Sequence, residues 1–318
     1  MRIRSPGGQC GETSLIHRFS SDGLGYYYRA GAEDTAVIFL HGMSGSASNW
    51  RRVVPLLPAD VPLVIVDLPW CGTSRNYSGK SGPEDLMEAI ARSVSEVWPG
   101  PAVVVAHSIA GYFGWRLGTQ RRFTVRGLVL VSAHLFSVSE LISNPFCRGV
   151  ARLRLALGYA LMMSLLKPPR FLRALVDRSA GVRRIVTWPL LSPAFLDSSS
   201  GVGECFSGNG GTGGLRMVAQ ARHIDLLATA RASEIPTSFV FGTSDPLLTD
   251  ADNSVMAGLG GISAVWQVED AGHFPMVEAP GVVASAIMEQ LGASAPGSLD
   301  GRLANSGGEP GRQLTAAP

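Results

Sequence analysis

The chain has 318 residues, of which 46% are hydrophobic and 16% are charged, enough for one large core and an appended smaller unit. Its 27 basic and 25 acidic side chains leave a formal net charge of +2, which argues against nucleic acid as a partner. We expect a cytoplasmic protein without a membrane segment, because residues 1–22 lack a signal-peptide core and no apolar run approaches the roughly 20 residues that cross a bilayer.

Short apolar runs rich in β-branched residues alternate with segments of helical period along the chain. Such alternation is typical of an α/β fold, with a mostly parallel sheet flanked by helices. Two early segments, at 14–17 and 24–29, are expected to form a hairpin. The later predicted strands are residues 36–40, 63–66, 102–105, 128–131, 237–241 and 264–268.

Helices are predicted between and after these strands. Pro83 opens a segment whose apolar residues have the spacing of one helix face, which predicts a crossover helix. The strand rhythm stops between residues 134 and 235, where helical patterns occupy 150–166 and 170–176. We therefore expect a first core part at 1–134, a helical cap at 135–230, a second core part at 231–292 and a disordered tail at 293–318.

A candidate nucleophile follows the predicted strand at 102–105. The run AHSIA places Ser108 between this strand and a helical pattern, with the small residues Ala106 and Ala110 on either side. This pattern is typical of a nucleophile elbow, a strained turn that lifts a serine hydroxyl clear of the sheet. The usual glycines are absent, so a plain helix cap is the alternative interpretation of Ser108.

A serine hydroxyl needs a base to remove its proton and a third group to hold that base. His273 and Asp245 each follow a predicted strand, in loops where open parallel sheets collect their ligands. His273 is also the only one of the six histidines C-terminal to Asp245. Glu269 and Asp270 are alternative acids, but they lie too near His273 along the chain to reach back comfortably to its imidazole.

Together these motifs resemble the α/β-hydrolase family, over residues 36–291 apart from the predicted cap. Residues 241–245 (FGTSD) resemble its acid-bearing segment, and residues 272–275 (GHFP) resemble its histidine loop. Residues 41–43 (HGM) resemble its oxyanion loop. Residues 67–74 (DLPWCGTS) resemble its D-x-P-G-x-G-x-S turn, with Trp70 in place of the first glycine.

The resemblance implies an α/β-hydrolase fold with a helical cap, carrying a serine esterase or lipase-like activity. Ser108 would attack a carbonyl, His273 would accept its proton and Asp245 would orient the imidazole. The backbone N–H groups of Met43 and Ile109 would form the oxyanion hole. No metal or organic cofactor is expected. His107 and His41, which lie beside these motifs, are expected to be structural.

The predicted cap indicates the substrate and the partners. Its apolar residues favour a small molecule with an apolar acyl or aromatic group, bound by Phe146, Tyr159 and Met162 in the cap and by Trp70 at the pocket rim. A carrier protein, an anionic ligand or a membrane surface could contact the basic flanks of the cap, although a solvated helix face is the simpler interpretation. These flanks contain Arg148, Arg152, Arg154, Lys167, Arg170 and Arg173.

Hydrolysis of a carboxylic ester is the expected reaction, because it is the commonest outcome for this set of residues. The same nucleophile would also serve a thioesterase, a lactonase, an acyltransferase or a carbon–carbon bond hydrolase. A ligand-binding protein or a cyclisation catalyst without an acyl-enzyme is an alternative from another class, since some relatives of that kind retain the same three residues.

Overall fold

The computed structural model describes residues 15–43, 45–118, 122–144, 154, 158, 178–187, 190–192, 195, 205, 213–292 and 312–313. The described strands form one sheet. They are β1 (Ile16–Phe19), β2 (Gly25–Arg29), β3 (Ala36–Leu40), β4 (Leu63–Val66), β5 (Ala102–His107), β6 (Val125–Val131), β7 (Thr237–Gly242), β8 (Ile262–Val268) and β9 (Arg312–Gln313).

The strands lie in the order β1-β2-β4-β3-β5-β6-β7-β8-β9. The six central strands run parallel, and they are β4, β3, β5, β6, β7 and β8 in sheet order. At the two edges, β1, β2 and β9 pair antiparallel with their neighbours. The α/β-hydrolase fold class and every predicted strand are confirmed, including the N-terminal hairpin. Three strands are longer than predicted. β5 continues to His107, β6 begins at Val125 and β8 begins at Ile262.

Nine α-helices are described in the same part of the chain. They are α1 (Pro83–Ser95), α2 (Ala110–Leu117), α3 (Phe136–Ser143), α4 (Ala180–Thr187), α5 (Gly213–Ala221), α6 (Leu226–Arg231), α7 (Asp250–Ala257), α8 (Pro275–Glu278) and α9 (Pro280–Gln290). The predicted crossover helix is α1, which begins at Pro83 with two acidic residues in its first turn. None of the described helices combines the length and apolar character needed to cross a bilayer.

The core is built around the central parallel strands. All residues of β3, β4 and β5 are buried, as expected for strands whose two faces are both covered. Most of these residues are aliphatic, so the central strands have a nearly continuous apolar sequence rather than alternation. The loops that follow these strands therefore begin from buried strand ends.

The described part of the predicted cap contains α3, α4, α5 and all of α6 except its last residue. The predicted helices at 150–166 and 170–176 lie outside the described residues, apart from positions 154 and 158. In the predicted tail, Arg312–Gln313 form β9 beside β8, and the rest of 293–318 lies outside the described residues. The division into core, cap and tail therefore stays a prediction.

The loops that contain the candidate site residues lie at one edge of the sheet. The parallel strands β3, β5, β7 and β8 end at the same side, and there they lead into the loops that contain Met43, Ser108, Asp245 and His273. Open parallel sheets place ligands at this edge.

Candidate active site

Ser108 lies in a strained turn between β5 and α2. Its φ is +53°, in the left-handed region that residues with a side chain rarely adopt. Its N–H donates to the Val131 carbonyl on the neighbouring strand at 3.0 Å, and its own carbonyl accepts from Gly111 at 2.9 Å. The turn is thus held by both the sheet and the helix, in the backbone conformation expected of a nucleophile elbow.

His273 contacts both Ser108 and Asp245. Its Nε2 lies 2.8 Å from the Ser108 Oγ, and its Nδ1 lies 2.7 Å from the Asp245 Oδ2. An ionised carboxylate can only accept a hydrogen bond, so Nδ1–H donates to Asp245 and Nε2 is left to accept from the serine hydroxyl. All three side chains are buried, which strengthens these interactions relative to water.

Asp245 is the acid that contacts the histidine. Its second carboxylate oxygen accepts from the Leu247 N–H at 2.9 Å, which fixes the carboxylate plane. The alternative acids Glu269 and Asp270 are exposed, and the Asp270 N–H donates to the Thr243 Oγ1 at 3.1 Å. The structure therefore brings together Ser108, His273 and Asp245, in the order expected from the sequence.

The His107 side chain forms a hydrogen bond with the backbone of His273. Its Nε2–H donates to the His273 carbonyl at 2.8 Å, and its ring packs against Phe274 with centroids 5.0 Å apart. Burial, with a smaller contribution from His273, lowers the pKa of His107 well below its ordinary value, so the ring is neutral. His107 packs as expected, but the sequence did not predict its bond to the residue 273 carbonyl.

The loop after β3 is braced from two sides. The His41 Nδ1–H donates to the Gly42 carbonyl at 2.7 Å, while its Nε2 accepts from the Leu68 N–H at 3.0 Å. The buried Asp67 carboxylate accepts from the Ala47 N–H at 2.6 Å. Burial lowers the pKa of His41 despite the nearby Asp67 carboxylate. His41 therefore has the structural role that the sequence predicted.

A cavity opens beside Ser108, and both Met43 and Ile109 line it. Most of its described lining is apolar, with Leu135, Val138 and Ile142 as examples. The described lining contains no Asp, Glu, Lys or Arg side chain. Such a wall favours a neutral, apolar group next to the Ser108 hydroxyl, because burying an unpaired charge is costly.

Trp70 does not belong to the described lining of this cavity. Its φ is +64°, and its indole packs edge-on against Tyr77 with ring centroids 5.7 Å apart. The Arg216 guanidinium on α5 lies 5.2 Å from the indole centroid. The other predicted substrate contacts, Phe146, Tyr159 and Met162, lie outside the described residues.

The predicted carrier-protein surface is described at one position. Of its basic residues, only Arg154 belongs to the described part of the chain, and it is exposed. Arg148, Arg152, Lys167, Arg170 and Arg173 lie outside the described residues. Among the described residues, no three His, Cys, Asp or Glu side chains are grouped so that they could bind a metal ion.

Residues 37–286 match the model of the alpha/beta hydrolase family. A pimeloyl-[acyl-carrier protein] methyl ester esterase of Yersinia pseudotuberculosis is 29% identical over 108 residues, which are 34% of this chain and 40% of the esterase. The match thus spans less than half of that curated relative.

Two solved structures show the same fold. A thermophilic esterase from Thermogutta terrifontis has a TM-score of 0.59 and 16% identity, over 87% of this chain and 98% of the esterase. The epoxide hydrolase VrEH1 from Vigna radiata has a TM-score of 0.58 and 21% identity, over 87% of this chain and 98% of the other. Their different names illustrate that this fold supports more than one reaction.

Proposed function

The chain belongs to the alpha/beta hydrolase family, and on that basis we propose that it is a serine hydrolase that cleaves a carboxylic ester of an apolar small molecule. The observation that carries this proposal is the hydrogen-bonded series from the Asp245 carboxylate through His273 to the Ser108 hydroxyl, at 2.7 and 2.8 Å. Nucleophile, base and orienting acid are then in contact without any rearrangement.

In the first half of the reaction, the Ser108 Oγ attacks the ester carbonyl carbon while the His273 Nε2 accepts the hydroxyl proton. Asp245 stabilises the imidazolium that forms and keeps the proton of Nδ1 in place. When the tetrahedral intermediate collapses, His273 gives the proton to the alcohol oxygen. The alcohol leaves, and the acyl group remains bonded to Ser108.

The oxyanion is assigned to the backbone N–H groups of Met43 and Ile109. Both residues line the cavity at Ser108, and neither N–H has a hydrogen-bond partner among the described residues. Ile109 also precedes the first turn of α2, where the helix dipole favours negative charge. Removal of one such donor typically lowers kcat by about 10²–10³-fold.

In the second half, a water molecule attacks the acyl carbonyl. His273 accepts a proton from this water and later gives it to the Ser108 Oγ, which releases a carboxylic acid and restores the enzyme. The bond that forms is between the water oxygen and the acyl carbon. No step of this sequence requires a group other than the three side chains, the two amides and water.

The lining of the cavity supports an apolar acyl group. The described wall has no Asp, Glu, Lys or Arg side chain to pair with a charge on the substrate. The Yersinia relative is named for a methyl ester of an acyl group, which supports an ester as the substrate class. Contact with a carrier protein through the basic cap, and a cytoplasmic location, stay predictions.

A panel of model substrates tests the proposed reaction. We expect neutral esters with apolar acyl groups to have the highest kcat/KM, and esters with a terminal carboxylate on the acyl group to be at least about 10-fold poorer. Higher kcat/KM for thioesters or lactones would instead favour one of those reactions with the same nucleophile. Tight ligand binding without turnover of any substrate would favour a binding protein.

Gly42→Ala is expected to lower kcat for the best ester by about 10-fold or more. An added Cβ would lie 2.6 Å from the His107 Nδ1 and 3.1 Å from the Ser108 Cβ, so either the loop that contains Met43 or the His107 ring beside Ser108 must shift. The matched control is Gly281→Ala, whose Cβ would meet nothing within 4 Å. Steady-state kinetics of both variants checks the prediction. Wild-type kcat in Gly42→Ala would contradict the close packing of this loop and His107 as a requirement for catalysis.

A further inference from the structure

Glu278, the last residue of α8, places its carboxylate against the backbone of the histidine loop. The Gly272 N–H lies 3.1 Å from both of its carboxylate oxygens, and the Phe274 N–H lies 3.4 Å from Oε1. Oε2 also accepts from the Ser192 N–H at 3.0 Å. One side chain therefore holds the amides on both sides of His273.

The backbone of His273 itself is bonded to other elements. Its N–H donates to the Leu190 carbonyl at 2.7 Å, and its carbonyl accepts from the His107 Nε2–H at 2.8 Å. With Glu278, three consecutive amides of residues 272–274 thus have acceptors from outside the loop. Such support fixes the position of the imidazole relative to Ser108.

Leu190 and Ser192 belong to a short segment that lies against this loop. A Cβ on Gly272 would lie 2.4 Å from the Leu190 carbonyl oxygen, so the two backbones approach as closely as glycine permits. Glu278 bonds to this segment through Ser192 and to the loop through Gly272 and Phe274. The carboxylate consequently joins two parts of the chain that are distant in sequence.

The surroundings of Glu278 are costly for a charge. Burial raises the pKa of Glu278, and the backbone N–H groups of Ser192, Gly272 and Phe274 together with the Ser192 hydroxyl oppose that shift. An apolar residue at this position would avoid the desolvation cost, but it would leave the amides of Ser192, Gly272 and Phe274 without this acceptor.

We propose that Glu278 is a positioning residue for the general base, holding residues 272–274 so that the His273 Nε2 stays within hydrogen-bond reach of Ser108. This inference rests on the proposed function, since it concerns the activation of Ser108 by His273. Glu278 does not belong to the described lining of the cavity, so it acts through His273 and not on the substrate.

Two variants of Glu278 separate positioning from folding. Glu278→Ala removes all of its acceptors, and we expect kcat to fall by about 10²-fold, the cost of a misplaced reacting group. Glu278→Gln keeps one acceptor oxygen but places an NH₂ donor near a backbone N–H, so it should recover part of the loss. KM should change much less than kcat in both variants, because Glu278 itself is not part of the described cavity wall and most of that wall lies outside residues 272–274.

Labelling of Ser108 by a fluorophosphonate probe supplies a second measurement that is independent of substrate. We expect the labelling rate constant of folded protein to fall in parallel with kcat, in the order wild type, Glu278→Gln, Glu278→Ala. Thermal unfolding and the final labelled fraction give the amount of folded protein. Both kcat and the labelling rate constant are then expressed per folded molecule. Glu269→Gln is the matched control, because Glu269 is an exposed glutamate near the same loop.

The outcomes distinguish this inference from the proposed function. If wild type and Ser108→Ala are labelled alike, the proposed function fails. If wild type is labelled at Ser108 but both Glu278 variants retain wild-type labelling rates and kcat per folded molecule, the positioning role is overturned and the proposed function stands. If Glu278→Ala does not fold, the kcat and labelling rate of Glu278→Gln decide.

Discussion

Ser108→Ala is expected to lower kcat/KM for the best ester substrate by about 10⁴-fold or more, with little change in stability. Alanine removes the attacking oxygen, and His273 then has no hydroxyl from which to accept a proton at 2.8 Å. The cavity and the two amides remain, so some binding and residual catalysis by the oxyanion hole persist. Steady-state kinetics with protein free of wild-type contamination measures this loss.

Ser132→Ala is the matched control for this variant. Ser132 also follows a parallel strand, is fully buried and has a positive φ of +47°. Its hydroxyl has no hydrogen-bond partner among the described residues, so its removal should not weaken the structure. We expect Ser132→Ala to retain wild-type kcat/KM. Equal losses in the two serine variants would mean that disruption of the strand ends, and not loss of a nucleophile, explains the Ser108 result.

Asp245→Asn is expected to lower kcat by about 10³–10⁴-fold while KM changes little. An asparagine NH₂ group placed at the position of Oδ2 would donate to Nδ1, which moves the imidazole proton to Nε2. Nε2 could then no longer accept the Ser108 proton. The bond from the Leu247 N–H to the other oxygen, at 2.9 Å, can persist, so the fold should be retained.

Asp270→Asn is the control for the choice of acid. Asp270 is exposed, and its φ of +58° is one that asparagine also tolerates. We expect Asp270→Asn to keep kcat within about twofold of wild type. A large loss in Asp270→Asn together with a small loss in Asp245→Asn would reverse the assignment of the acid.

The strands could be predicted because each central strand is a short apolar run bounded by turn residues. Helical patterns between several of these strands indicate parallel pairing, and this shared direction explains why Ser108, Asp245 and His273 meet. Each residue follows the carboxyl end of a different strand, and those ends share one edge of the sheet. Proximity could thus be expected from motifs that lie far apart along the chain.

Other contacts at the site depend on residues that sequence reasoning cannot pair. Glu278 lies within the run PMVEAP, where a lone acid among apolar residues indicates a buried carboxylate but does not identify its partners. Its bond to Ser192 joins residues 86 positions apart, and the His107 bond joins residues 166 positions apart. No periodicity or motif links such pairs, because they come from the packing of separate loops.

Trp70 illustrates a different difficulty. The motif placed an indole in a turn that usually carries glycine, which led to the prediction of a pocket-rim contact. Its indole packs against Tyr77 and lies beside the guanidinium of Arg216, which comes from α5 far along the chain. A tryptophan with a positive φ can be supported by such neighbours, and their identity emerges only from the fold.

The most direct test of the central claim is detection of the acyl-enzyme. Wild-type protein is mixed with an activated ester, quenched with acid during turnover, digested and measured by mass spectrometry. We expect a mass increase equal to the acyl group on the peptide that contains Ser108, and no such increase in Ser108→Ala. Turnover with the acyl group on another residue, or an adduct that persists in Ser108→Ala, would contradict the role of Ser108 as nucleophile.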